Sequence, residues 1–266
     1  MESIRSTILF ILLSLFFVIT VSAQVGEHRS EMAVGVNGGY VMSNVGFIPK
    51  VPQSLHSGLT GGLTFRYTSE KYFNSICAIV AELNYAQIGW KESILTPDDD
   101  PVINTATGLP EEYQRNMNYL QLPVFARLGW GRERRGLQAF FQVGPQIGLF
   151  LNENSEYNFD LDNPNLSART SIISSAYVRN GAQIGSGMYH MSVENKIDYG
   201  IAAAVGMEFS RPKLGHILLE GRYYYGLGDI YGNTKRDYFG RSFFSNIVIK
   251  MAYLFDIQKT KNNKIK

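Results

Sequence analysis

Four histidines, one cysteine and two polar acidic stretches are the residues of this chain with the widest chemical range. On the sequence, His28, His56, His190 and His216 fall at a terminus, in two loops and at a strand end. A zinc site needs several His, Cys or carboxylate ligands brought together, and a serine hydrolase needs a histidine beside its serine. The scatter announces neither, so no catalytic, metal-binding or cofactor-binding residue is assigned and no enzyme is expected. Cys77 stands alone, which excludes an internal disulfide. Its place in an apolar run reads as a small hydrophobe rather than a reactive thiol. Asp98, Asp99 and Asp100, followed by Pro101, and the stretch 152–165 invite calcium. The second lacks the glycine and spaced carboxylates of an EF-hand loop, and both read as solvated loops.

A different set of ionisable residues has more order. Arg66, Glu82, Arg127, Glu208, Glu220, Arg222 and Lys250 each sit within a segment whose alternate positions are apolar. A charge so placed can line a path for solute or ion, or it can close an ion-paired interior. The two signs are similar in number, which favours the paired interior.

The elements that would hold these charges are strands. Tyr and Phe number 16 each against 2 Trp, and Gly 26, a composition that suits curved sheet better than helix. Mean hydropathy lies just below zero, which excludes a bundle of membrane helices but not a barrel, whose strands alternate apolar and polar positions. A formal charge of +2 leaves no nucleic-acid footprint.

Arg5 opens a basic segment, residues 8–21 are almost unbroken apolar sequence, and Val21-Ser22-Ala23 presents small residues at the two positions that a signal peptidase reads. Residues 1–23 are therefore expected to be a cleaved export signal, with the mature chain starting at Gln24. No helical span follows, and an exported chain that stays in a membrane must then close its backbone hydrogen bonds in a barrel.

Residues 24–255 carry eight alternating runs, near 32–41, 59–68, 76–90, 117–128, 137–150, 197–210, 216–227 and 243–255. In the sixth, Tyr199, Ile201, Ala203, Val205, Met207 and Phe209 alternate with Asp198, Gly200, Ala202, Ala204, Gly206 and Glu208. The links 69–75, 129–136 and 211–215 are short, whereas 42–58, 91–116, 151–196 and 228–242 are long. Short turns at one rim and long loops at the other predict an eight-stranded antiparallel up-and-down transmembrane β-barrel with the short turns periplasmic. Small residues on the polar face suit a narrow interior. Strand order places Glu82 between Arg66 and Arg127, and Glu220 and Arg222 beside Lys250, so charges on adjacent strands are expected to meet.

Several motifs also resemble a known family. Glu82-Leu83-Asn84-Tyr85 precedes Gly89-Trp90-Lys91; Tyr119-Leu120-Gln121-Leu122-Pro123 follows, then Gly144-Pro145-Gln146-Ile147-Gly148 and finally Arg222-Tyr223-Tyr224-Tyr225-Gly226-Leu227-Gly228-Asp229-Ile230. In this order, over nearly all the mature chain, they resemble the small outer-membrane β-barrel proteins called porin family or PorT-like. The resemblance implies eight strands, no cofactor and, for most members, no assigned activity. One branch serves protein secretion, and no motif places this chain in it. Members usually end on an aromatic that the barrel-insertion machinery reads; Tyr253 and Phe255 fill that role here, followed by a lysine-rich tail, 256–266.

The sequence thus predicts a monomer in the bacterial outer membrane that touches lipid, the insertion machinery and a protein partner at its long loops. Its interior is side-chain filled, and its role is structural or loop-mediated binding at the cell surface. A small passive pore and an accessory subunit of a secretion machine are the alternatives.

Overall fold

The computed structural model describes residues 27–48, 50–96, 98–160, 178–179, 182–183, 189–212, 214–232 and 239–260. The expected export signal lies outside them, as do the middle of the longest loop and residues 261–266 of the tail.

Eight long strands are present among the described residues: β1 (Glu27–Ile48), β2 (His56–Tyr72), β3 (Ser75–Ser93), β4 (Glu112–Gly131), β5 (Gly136–Tyr157), β6 (Ile197–Arg211), β7 (Gly215–Gly226) and β8 (Arg241–Gln258). Each pairs antiparallel with the next, and β8 returns to β1 with Val34 opposite Phe255 and Val41 opposite Val248. The ring is closed, so no long strand leaves a ladder edge unpaired. Two-residue pieces, Gln53–Ser54 against β3 and Val178–Arg179 against Ala182–Gln183, stand outside the ring.

The alternation read in the sequence sorts the two faces. Val205 is 61% exposed while its neighbour Ala204 is 3% exposed, and Ile249 is 52% exposed against 2% for Lys250. Outward leucines, isoleucines and valines occupy all eight strands, among them Val36, Leu63, Leu83, Leu122, Ile147, Val205, Leu219 and Ile249. Such a continuous apolar belt exceeds any patch that a water-soluble monomer tolerates and matches the lipid-facing band of a membrane barrel. Outward tyrosines gather in the long-loop halves of the strands (Tyr40, Tyr85, Tyr199, Tyr223, Tyr225), and Trp130, Phe209, Tyr253 and Phe255 in the short-turn halves.

The strands run further than the apolar alternation. β1 extends the expected 32–41 at both ends, and β4 starts at Glu112 instead of 117. Beyond the lipid band the outward residues turn polar, so the sequence signal stops while the backbone ladder continues, with Tyr113 opposite Tyr157 and Arg115 opposite Ser155. The long links shrink to 49–55, 94–111, 158–196 and 227–240, and the short ones to 73–74, 132–135 and 212–214. The barrel also does not end at Phe255: β8 continues to Gln258, with Asp256 opposite Ala33.

One irregularity changes which side chains point inward. The β4–β5 register slips between Asn118 and Tyr119, leaving Leu151 as an extra residue on β5. A bulge of one residue reverses parity beyond it. Glu153 and Ser155 face Arg115 as a result, where uninterrupted alternation would have turned Asn152 and Asn154 inward.

Candidate functional site: the filled lumen

All seven charges read from the sequence lie inside the ring, none more than 8% exposed. They form two groups at different depths. In the first, Glu82 of β3 receives Arg222 of β7 at 2.8 and 2.9 Å and the ammonium of Lys250 of β8. Arg222 also reaches Glu220 at 2.7 Å, and Lys250 reaches it at 3.1 Å. Two carboxylates thus balance two cations. Neutral groups take up remaining valences: Asn84 donates to Glu82 at 2.8 Å, Asn37 to Asn84 at 2.8 Å, and Gln142 to Glu220 at 3.0 Å. The Arg222 guanidinium lies 4.7 Å from the Phe125 ring centre.

The second group lies nearer the short turns. Glu208 of β6 accepts from Arg66 of β2 at 2.7 Å and from Arg127 of β4. Arg127 stacks 3.8 Å from the Phe140 ring centre. His216 sits between two carboxylates, 2.7 Å from Glu208 and 2.9 Å from Asp256, and Lys259 meets Asp256 at 2.7 Å. A third set closes the short-turn end, where Arg29 and Lys71 share Glu133 at 3.2 and 2.7 Å.

The expectation that adjacent strands would pair their charges needs correcting for Glu82. Register sets Thr64 opposite Glu82, while Arg66 faces Val80 and Arg127 faces Ala78, so both arginines lie deeper toward the short turns. Glu82 pairs instead across the lumen with Arg222, and Arg66 crosses likewise to Glu208. Lys250 does meet Glu220, its neighbour in register.

At the long-loop end the filling becomes aromatic. Phe47, Trp90, Tyr113, Tyr189, Tyr231 and Phe239 are buried together, with Trp90 edge-on to Phe47 at 5.1 Å. Tyr189 and Tyr231 belong to loops that fold back into the mouth rather than standing free of it. Arg115 holds them there, donating to the Tyr189 carbonyl at 2.9 Å, to the Met191 carbonyl and to the Tyr231 hydroxyl at 3.1 Å. Burial raises the Tyr231 phenol above its ordinary range, against the opposing charge of Arg115. Glu194 and Asn195 donate backbone N–H groups to the Ile230 carbonyl at 3.2 Å, knitting the two loops into one cap. Arg115 lies outside the run expected to start at 117, although the parity of Met117 and Tyr119 continues through it.

Two histidines have partners that the sequence concealed. His56 opens β2 rather than lying in a loop, with Ser43 3.2 Å from Nδ1 and Asn116 2.5 Å from Nε2. Ser43 is fully buried, and its hydroxyl donates to the Gly89 carbonyl at 3.0 Å while accepting the Gly89 N–H at 2.9 Å. Ser210 lies 2.7 Å from His216. Both His216 nitrogens, however, face carboxylate oxygens, and a ring that donates from both has no lone pair left for a serine proton. The Ser210–His216 contact is therefore part of an ion-paired chain rather than an activated nucleophile.

Between these layers little space remains. The void around Asn84, Gln121, Gln146 and Asn246 measures about 10 Å³, and the one around Arg66, Arg127 and His216 about 30 Å³. Neither has room for more than about one or two waters, since a cavity needs roughly 10–15 Å³ for one. Outside the ring, Tyr253 and Phe255 present their rings to the lipid side of β8, and Cys77 has the same outward parity.

Residues 22–232 match the family described as outer membrane protein beta-barrel domain. The chain belongs to that family. Among solved structures, the barrel is similar to Ail, the attachment invasion locus protein of Yersinia pestis, crystallised with the heparin analogue sucrose octasulfate. Identity is 11% over 85% of this chain and 99% of Ail, with a TM-score of 0.35. OprG from Pseudomonas aeruginosa is 11% identical over 86% of this chain and 98% of its own, with a TM-score of 0.39. Neisserial surface protein A is 7% identical over 84% and 97%, with a TM-score of 0.37. No curated protein matches the chain. Membership of the family places this barrel in the bacterial outer membrane, with lipid around its apolar belt.

Proposed function

We propose that this protein is a closed, non-conducting and non-catalytic monomer that anchors its long loops at the cell surface, where they bind a partner. The observation that carries this reading is the filled lumen: ion pairs at the short-turn end and at two depths, then an aromatic cap, with voids of only about 10 and 30 Å³ between them. Eight strands enclose an interior that side chains can fill completely. A permeation path would need mobile water beside the charges, whereas Glu82 is paired with Arg222 and Lys250, and Glu208 with Arg66 and Arg127.

In this reading the short turns face the periplasm and the long loops face outward. The described residues 94–96 and 98–111 supply a folded outer lobe: Leu95 pairs with Pro101 and Ile103 with Pro110, while Ile94 and Val102 root the lobe in the aromatic cap. Exposed Leu109 and Ile103 on this lobe suit contact with a partner better than solvation. The test is solute entry into proteoliposomes carrying the folded protein. Swelling no faster than protein-free vesicles supports the reading; size-dependent sugar entry would replace it with a pore.

A further inference from the structure

The short-turn rim carries arginines of two kinds. Arg29 and Arg134 are ion-paired, meeting Glu133 at 3.2 Å and Glu31 at 2.7 Å. Arg132, Arg135 and Arg211 are exposed instead, and among the described residues none of the three guanidiniums meets a carboxylate. They come from two turns, β4–β5 and β6–β7, that the β5–β6 ladder holds side by side, with Gly136 opposite Ser210 and Leu137 opposite Phe209.

The backbone shapes this corner. Gly136 has φ +114°, and a Cβ there would lie 3.0 Å from Cδ of Arg132, so the glycine lets that side chain fold across the turn. The result is a concavity of about 570 Å³ lined by Arg132, Arg135, Gly136, Phe209, Arg211 and Pro212. Phe209 forms its membrane side, with the Arg211 guanidinium 5.4 Å from the ring centre. Directly below, Leu137 and Phe209 face lipid, and the next outward pair is Ala139 with Met207, so the apolar strip continues from the bowl with a small side chain in it.

A cationic bowl at the lipid line, opening onto an apolar strip, complements one kind of molecule. We propose that Arg132, Arg135 and Arg211 bind the phosphate headgroup of an anionic glycerophospholipid in the leaflet that the short turns face, with an acyl chain over Ala139. Guanidinium forks match phosphate oxygens in two-point hydrogen bonds, and basic groups at a membrane surface draw anionic lipid. With no acid in the bowl, a headgroup bearing its own ammonium gains less than one carrying net negative charge. The proposal rests on the transmembrane reading above.

The experiment places the protein, residues 24–266, in nanodiscs of phosphatidylcholine doped with phosphatidylglycerol. Lipid that stays bound after release into mild detergent is counted by native mass spectrometry. Phosphatidylglycerol should be retained above its bulk share by roughly tenfold or more, because each cation near the surface contributes separately. The combined variant R132Q/R135Q/R211Q should lose the enrichment while keeping the heat-modifiable mobility of a folded barrel. Equal retention of the two lipids, or undiminished enrichment in the variant, would overturn the proposal. Displacement of phosphatidylglycerol by millimolar inorganic phosphate would overturn it too, by assigning the bowl to a free anion. A chain with no lipid belt of either kind would sink the transmembrane reading along with it.

Discussion

Glu82 and Arg222 stand on β3 and β7, four strands apart in a ring of eight, and meet across the lumen at 2.8 Å. The same offset joins Arg66 on β2 to Glu208 on β6 at 2.7 Å. Two diametric ion pairs therefore brace the barrel like struts at different depths, each joined by a second cation.

Removing one member of a strut leaves buried charge without its partner. Glu82→Ala strands Arg222 and Lys250 with only Glu220 between them, a change worth roughly 3–5 kcal/mol for a broken buried pair. Urea unfolding from detergent should place Glu82→Ala and Glu220→Ala well below the parent, and Asp99→Ala, in an exposed loop, beside it. Replacing Glu82 and Arg222 together by leucine and methionine should restore much of the loss, since an apolar pair of similar volume has no charge to satisfy. Full stability of both glutamate variants would remove the struts from the account.

The lipid face is tested by parity. Val205→Arg or Ile249→Arg puts a cation into hydrocarbon at a cost of roughly 2–4 kcal/mol near the midplane and should reduce assembled barrel in the membrane fraction. Ala204→Ser, one residue away and facing inward, should assemble nearly as the parent does. Equal tolerance at both parities would contradict the alternation on which the fold rests.

Orientation can be read with protease on intact cells. Cleavage should fall in the exposed acidic tip near Asp98–Asp100 and spare Arg132, Arg134 and Arg135 in the opposite turn. Arg115→Gln should add cuts within 189–195, because that arginine holds the Tyr189 and Met191 carbonyls in the mouth. Cutting at the arginine turn in intact cells would show the barrel inverted.

Tyr253 and Phe255 offer their rings outward near the end of the closing strand. Replacing both by alanine should slow the appearance of heat-modifiable barrel in cells several-fold, while the same variant refolds from urea into detergent with little change. Loss of refolding in detergent as well would make the two rings structural rather than a signal to the insertion machinery.

What could be read in the sequence and what could not divide along physical lines. Alternation with a period of two gave the outward position of Val205 and Ile249 and the inward position of all seven charges, because lipid and a crowded lumen select opposite chemistry at successive residues. Partner choice across the lumen escaped that reading: whether Glu82 finds Arg127 or Arg222 depends on register and strand tilt, which no local pattern records. The strand ends escaped it too, because Tyr113 and Arg115 lie beyond the lipid band, where no apolar alternation is required. The Leu151 bulge reverses parity with a single extra residue and leaves no mark in composition. The cap of Tyr189, Val193, Ile230 and Tyr231 comes from aperiodic loops, so only three-dimensional packing assembles it.

The most direct measurement is single-channel current across a planar bilayer containing the folded protein, residues 24–266, at high and low salt. A barrel filled by the Glu82, Glu208 and Arg115 clusters should give no steady open level at moderate voltage, in either salt. A stable, salt-proportional conductance that survives in the parent protein would contradict the filled lumen and make this barrel a pore.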